Sequence, residues 1–151
     1  MEKSLLRTES ADPRDYAELT RVWEASVRAT HRFLQESDIQ EIKSRMAGEY
    51  LPGVERLRCI REEGRIVAFI GLAGTHIAML FVRPDRRGTG CGRRLVEEAV
   101  ARYGARTVDT NEQNEQATGF YLRLGFAVVG RDEGDDAGRP FPILHLALRE
   151  G

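Results

Sequence analysis

The sequence predicts an α/β domain of the α+β kind, a mixed sheet with helices packed on it, and three observations carry that reading. A chain of 151 residues is long enough for one hydrophobic core and too short for two, so a single domain over residues 1–151 is expected. The apolar period switches repeatedly between helical and strand spacing, in the order strand, two helices, three strands, helix, strand, helix, two strands. No internal repeat, low-complexity tract or linker breaks that alternation.

Ser4 to Thr8 reads as a first short strand. Asp12 and Pro13 then open a helix, the aspartate as N-cap and the proline at the first helical position, where its missing N–H costs nothing. Tyr16, Leu19, Trp23 and Val27 recur at helical spacing and give that helix one buried face. After a break at Thr30-His31, a second helix is expected from Glu36 to Met46, ended by Leu51-Pro52-Gly53. From Glu55 the period becomes two: Leu57, Cys59, Val67 and Phe69 alternate around Glu63-Gly64, a hairpin signal. Ile77 to Val82 is apolar throughout and reads as a central, buried strand. A helix follows from Gly90 to Tyr103, then a strand at Thr107-Val108-Asp109 and a helix from Asn114 to Leu124 with Gly125 as its left-handed cap. Strands at Ala127–Arg131 and Ile143–Leu148 close the chain.

Composition narrows the function. With 41% apolar and 31% charged residues the chain is neither a disordered tail nor a membrane protein. Its longest uncharged run, Ile66 to Val82, is broken by Gly71, Gly74, Thr75 and His76, which excludes a spanning helix. The opening Met1-Glu2-Lys3-Ser4 has no apolar signal core, and two cysteines, Cys59 and Cys91, fit a reducing compartment, so a cytoplasmic location is expected. A net charge of -1 offers no electrostatic footprint for nucleic acid, and no membrane partner is expected either.

The densest chemistry lies at Arg83-Pro84-Asp85-Arg86-Arg87-Gly88-Thr89-Gly90-Cys91-Gly92-Arg93-Arg94, where a strand ends, a turn carries alternate glycines and a helix begins. Such a turn exposes backbone N–H groups at a helix N-terminus and lets them approach an anion without an intervening Cβ. Arg86 and Arg87 can add charge to the same anion. A dinucleotide loop would need glycine where Arg93 stands, and a triphosphate loop would need a Gly-Lys-Ser/Thr that is absent. A merely tight connection would not need three alternate glycines.

The pattern that fits is Arg87-Gly88-Thr89-Gly90-Cys91-Gly92, which resembles the Arg-x-x-Gly-x-Gly pyrophosphate motif of the GNAT superfamily of N-acetyltransferases. Asn114-Glu115-Gln116-Ala117-Thr118-Gly119-Phe120-Tyr121-Leu122-Arg123-Leu124-Gly125-Phe126 is similar to a second family block, Asn-x-x-Ala-x-x-Phe-Tyr-x-x-x-Gly-Phe. The stretches Ala29–Leu34, Asn111–Gln116 and Gly138–Pro142 resemble a small bacterial subgroup of undefined substrate. The resemblance implies a mostly antiparallel sheet of about seven strands with about four helices, acetyl-CoA as cosubstrate, no metal, and an amine on a small molecule or peptide as acceptor. It also implies a monomer or homodimer.

It further implies that the backbone of Leu80, Phe81 and Val82 pairs with the pantetheine arm and that the turn Arg87, Gly88, Thr89, Gly90, Cys91 and Gly92 holds the pyrophosphate. Asn114 and Tyr121 share a helix face, with Ala117 between them, small enough to let the arm pass. Asn114 would bind the donor by its amide. Tyr121 is the candidate general acid, because a phenol of pKa about 10 stays protonated at neutral pH and can donate to a thiolate of pKa about 8.5. The family's usual carboxylate on the central strand is missing, its positions being Ala78 and Met79. A water chain, His31, His76, His145 or the acidic loop Asp132–Asp136 is left to take the amine's proton. His31, Phe33 and His145 are the candidate acceptor-binding residues, and Trp23 suits either the pocket or the core. An alternative from a different class, motivated by the missing carboxylate, is a non-catalytic acyl-CoA sensor.

Overall fold

In the computed structural model, which describes residues 6–135 and 138–149, seven strands and four α-helices follow in the predicted order. The chain divides after Ala105 into two units. The first contains β1 (Thr8–Ser10), α1 (Tyr16–Thr30), α2 (Glu36–Arg45), β2 (Arg56–Glu62), β3 (Arg65–Ala73), β4 (His76–Val82) and α3 (Cys91–Tyr103). The second contains β5 (Thr107–Asn111), α4 (Glu115–Arg123), β6 (Phe126–Asp132) and β7 (Ile143–Leu148).

In the first unit β1 to β4 pair antiparallel in chain order. The first strand is later than expected, since Thr8, Glu9 and Ser10 are the residues that pair, with Ile60, Cys59 and Arg58; Ser4 lies outside the described residues. Asp12 caps as its type demands: its side chain accepts from Arg14 N at 2.9 Å, and Asp15 Oδ2 accepts from Asp12 N at 3.0 Å. That box caps a short 3-10 turn, Pro13–Asp15, which leads into α1. The second helix ends one turn differently too, α2 passing into a π-helical turn at Met46–Tyr50. The hairpin at Glu63-Gly64 has both residues at positive φ, 52° and 79°, the primed turn that matches strand twist.

The strand alternation sorts the two faces of β2. Leu57 and Cys59 point to α1, joining Leu19, Val22, Trp23, Val27 and Phe69 in one buried cluster. Burying each large side chain there contributes about 1.5–3 kcal/mol. Arg58 points the other way, to Glu98 of α3, at 3.2 Å. Thr8 Oγ1 donates to the same carboxylate at 2.5 Å. Burial disfavours the charge on Glu98, but the bonds from Arg58 and Thr8 outweigh it and hold the carboxyl below its usual range. Hence α1 and α3 lie on opposite faces of these strands. The covered strand is β3, buried from Ile66 to Leu72. Leu80, Phe81 and Val82 of β4, expected to be buried, are half-exposed instead. Gly71 faces Met79 and Leu72 faces Ile77, which makes Ala78 the extra residue of a bulge.

In the second unit β7 lies between β5 and β6, antiparallel to both. Gly125, at φ 100°, ends α4 in the left-handed conformation that the sequence predicts. Among the described residues no helix is long and apolar enough to cross a membrane, and both cysteines are buried and free.

Candidate active site

Gly88 and Gly90 adopt φ of 78° and 95°, angles at which a side chain is strained. Gly90 is the N-cap of α3, and no side chain caps that end. The first helical bond there runs from Arg94 N to Gly90 O at 2.9 Å, so the amides of Cys91, Gly92 and Arg93 have no acceptor within the helix. Nothing approaches within 4 Å of where a Cβ on Gly88 would sit. The turn therefore offers an open row of N–H groups with the positive end of a thirteen-residue helix behind them, which suits a pyrophosphate.

The arginines divide. Arg86, expected to help bind the anion, is instead held by Glu62 and Asp85, an engagement that raises its pKa. Arg87 is exposed beside Gly88. Thr89 turns its hydroxyl inward, donating to Arg86 O at 2.6 Å. The buried Cys91 thiol lies 3.5 Å from that hydroxyl, which gives it a packing role in the turn. On β4, Phe81 packs on Phe69 with ring centroids 5.8 Å apart, and Leu80 and Val82 take the alternate side.

In the second unit Asn114 is the N-cap of α4, its Oδ1 accepting from Ala117 N at 3.2 Å. The resemblance implies that this amide binds the donor; its oxygen is engaged in the cap, which leaves Nδ2 to make that contact. Replacing Asn114 with alanine is expected to cost about 1 kcal/mol. In a chain of this size that lowers Tm by about 3 °C, and Asn114→Asp should restore it. An unchanged melting curve for the alanine variant would remove the cap's contribution. One helical turn apart on α4, Ala117 is half-buried and Tyr121 is 4% exposed. The Tyr121 ring meets Phe120 and Phe126 edge-on, at 5.0 and 5.4 Å between centroids. Burial pushes its phenol well above the ordinary 10. Phe126 is core, whereas Phe120 is half-buried.

The histidines differ in kind. His31 follows α1 and packs against Phe33 with the rings tilted by 46° and their centroids 5.4 Å apart, and burial lowers its pKa to about 4. Thr30 Oγ1 donates its one proton to Ser26 O, so it accepts from His31 Nδ1 at 2.8 Å. The neutral ring consequently keeps its lone pair on Nε2. Trp23 belongs to the buried cluster and His76 sits half-buried at the start of β4. In the acidic loop Glu133 pairs with Arg131 and Asp135 accepts from Arg139 N, while Asp136 lies outside the described residues.

His145 stands between two carboxylates, Nδ1 at 2.7 Å from Asp109 and Nε2 at 2.8 Å from Asp132. Two acceptors require two N–H donors, so the ring is an imidazolium, and the bonds from Asp109 and then Asp132 raise its pKa. In that charged form it staples β5, β7 and β6 together. A raised folded pKa gives stability that is full below the unfolded value of about 6.5 and is lost as pH rises through the folded one. The stability gap between wild type and His145→Gln is thus expected to shrink from pH 6 to 9 in urea titrations. Its size at pH 6 should be no more than about 1 kcal/mol for so exposed a cluster. A gap that widens with pH would overturn the assignment.

Comparison with known proteins agrees with this architecture. Residues 22–142 match the acetyltransferase (GNAT) domain family. The peptidyl-lysine N-acetyltransferase YjaB of Escherichia coli (strain K12) is 44% identical over 130 residues, covering 86% of this chain and 88% of that protein. The solution structure of apo YjaB from Escherichia coli superposes with a TM-score of 0.87 at 39% identity, over 97% of this chain and 99% of that one. PaiA N-acetyltransferase from Thermoplasma acidophilum, solved in complex with coenzyme A, shares the fold alone, with a TM-score of 0.72 at 16% identity over 93% and 97% of the two chains. The matched span takes in β4, the glycine turn and α4 with both sequence motifs, and on that ground the chain belongs to the GNAT superfamily and is an N-acetyltransferase.

Proposed function

We propose that the protein moves the acetyl group of acetyl-CoA directly to the primary amine of a peptidyl lysine, with Tyr121 as general acid. The observation that carries the donor assignment is the uncapped start of α3, opened by two left-handed glycines. The likeness to YjaB, a peptidyl-lysine acetyltransferase, supports the acceptor class. When bound, acetyl-CoA supplies an activated acyl carbon and a thiolate leaving group. The amides at Gly88–Gly92 hold the pyrophosphate, with Arg87 adding charge, and the backbone of Leu80, Phe81 and Val82 aligns the arm. One of those N–H groups polarises the thioester carbonyl as charge develops on its oxygen. Asn114 Nδ2 and the small Ala117 accommodate the arm, and Tyr121 Oη donates to the departing sulfur.

The amine gives its lone pair to the acyl carbon and must arrive neutral. His31, with a pKa of about 4, is too weak a base to strip an ammonium of pKa about 10. Its Nε2 accepts a hydrogen bond from the neutral amine and orients it, with Phe33 packing the ring. His145 has both ring nitrogens engaged by Asp109 and Asp132, so it takes no part in these proton transfers. The protein is taken to act as a monomer or homodimer in the cytoplasm.

The test joins calorimetric titration with acetyl-CoA to an assay of free CoA thiol released in the presence of lysine peptides. Saturable binding and amine-dependent release are expected. A second reading, an acyl-CoA sensor, draws on the exposed Ala78 and half-buried Met79 where a catalytic carboxylate would stand. Binding with no release for any peptide or small amine would establish it instead.

A further inference from the structure

On the α1 face of the first unit a cleft of 460 Å³ opens between α1 and the strand pair β3–β4. Its apolar wall is the buried Val22 and Ile66 with Ala25, and its charged lining is Arg21, Arg65 and Arg83. Glu18 is the one acidic residue that lines it. Its carboxylate is engaged, accepting from Ile66 N at 2.7 Å and lying 3.8 Å from Arg61. Arg83 is shared with Asp85 at 2.6 Å. Among the described residues no carboxylate is paired with Arg21 or Arg65. The cleft thus presents surplus guanidinium charge over an apolar floor, a lining that repels a bare ammonium and suits a carboxylate on a short aliphatic stem.

Its position decides which substrate supplies that carboxylate. The glycine turn opens α3, and α3 packs on the face of β2 that carries Arg58. The cleft lies on the other face, where α1 covers Leu57, Cys59 and Phe69. A donor anchored at α3 leaves the α1 face to the acceptor. Arg83 directly follows Val82, so about 10 Å of strand separates it from Leu80, at about 3.3 Å per residue. An extended peptide covers that distance in about three residues.

Resting on the peptidyl-lysine reading above, we propose that this cleft is a subsite for an acidic side chain of the acceptor, selecting lysines with Asp or Glu two to four residues away. The test uses otherwise neutral lysine peptides carrying Glu or Gln three residues before or after the lysine. Wild type is expected to prefer the Glu peptide about tenfold in kcat/KM, mainly through KM. In Arg21→Gln/Arg65→Gln the ratio should fall to about one, whereas Lys43→Gln/Arg45→Gln, the same loss of two charges on α2, should keep it. A second arm measures anisotropy of fluorescein-labelled peptides in which norleucine replaces the lysine, which reads the subsite without acetyl transfer; the same tenfold preference is expected. A wild-type ratio near one while lysine peptides turn over would overturn the subsite and leave the acceptor class standing. Discrimination by the norleucine peptides with no lysine acetylation would do the reverse. Loss of acetyl-CoA affinity instead of peptide preference in the double variant would assign the cleft to the donor and overturn the proposal.

Discussion

Gly90→Glu is expected to weaken acetyl-CoA binding more than a hundredfold, about 2.7 kcal/mol, while leaving the protein folded. Two effects combine at this position and can be separated. The left-handed φ of 95° costs a residue with a Cβ about 1–2 kcal/mol, an expense that Gly90→Ala also bears. A carboxylate at the N-cap interacts favourably with the helix dipole, which offsets part of that strain in the unliganded protein. In doing so it occupies the amides of Cys91, Gly92 and Arg93 with a negative charge, where the pyrophosphate should lie. Calorimetry at fixed ionic strength should therefore rank wild type above Gly90→Ala by less than tenfold, and both far above Gly90→Glu. Thermal melting should place the two variants close together. Equal affinity for wild type and Gly90→Glu would show that the glycine turn is only a turn.

How much of this could be read in advance follows from the range of the interactions. Capping boxes, primed turns and glycine caps involve residues a few positions apart, so Asp12, Glu63-Gly64 and Gly125 were legible as they stand. The order of elements was legible because helical and strand periods differ. What escaped was decided by distant partners. Nothing near Arg86 in sequence reveals that Glu62, twenty-four residues earlier, will hold it away from the anion. Nor does anything near Arg58 point to Glu98. His145 stands among the candidate acceptor-binding residues in the sequence, but only the register that sets it opposite Asp109 and Gly130 gives its ring two carboxylate partners. The bulge at Ala78 left a faint trace, since Gly71 across from Met79 is an unusual strand residue; a Cβ there would meet Met79 Cε at 3.2 Å. The half-exposure of β4 left none, because an apolar strand reads the same in sequence whether or not protein covers it.

Tyr121→Phe is expected to lower kcat by about 10²–10⁴, the range that a positioned acid contributes, with acetyl-CoA affinity held within about threefold. The phenylalanine ring keeps the edge contacts to Phe120 and Phe126, so stability should change little or rise slightly. The pH profile separates this role from simple packing. With the Tyr121 phenol raised above 10 by burial, it remains protonated throughout the working range and contributes no inflection of its own. The rise of kcat/KM with pH belongs to the amine, since His31 ionises near 4 and is neutral throughout this range. Wild type and Tyr121→Phe should consequently show parallel slopes of about one log unit per pH unit between pH 7 and 9, displaced vertically. A phenol that holds its proton more tightly than the leaving thiol, with a pKa of about 8.5, cannot release it fully. It must share that proton with the developing thiolate while the attacking amine sheds its own to water. Thioesters of more acidic thiols need less of that help, so the Tyr121→Phe deficit should narrow as the leaving thiol becomes more acidic. A deficit independent of the thiol, or a loss of donor affinity with kcat intact, would make Tyr121 a wall of the site and move the acid elsewhere.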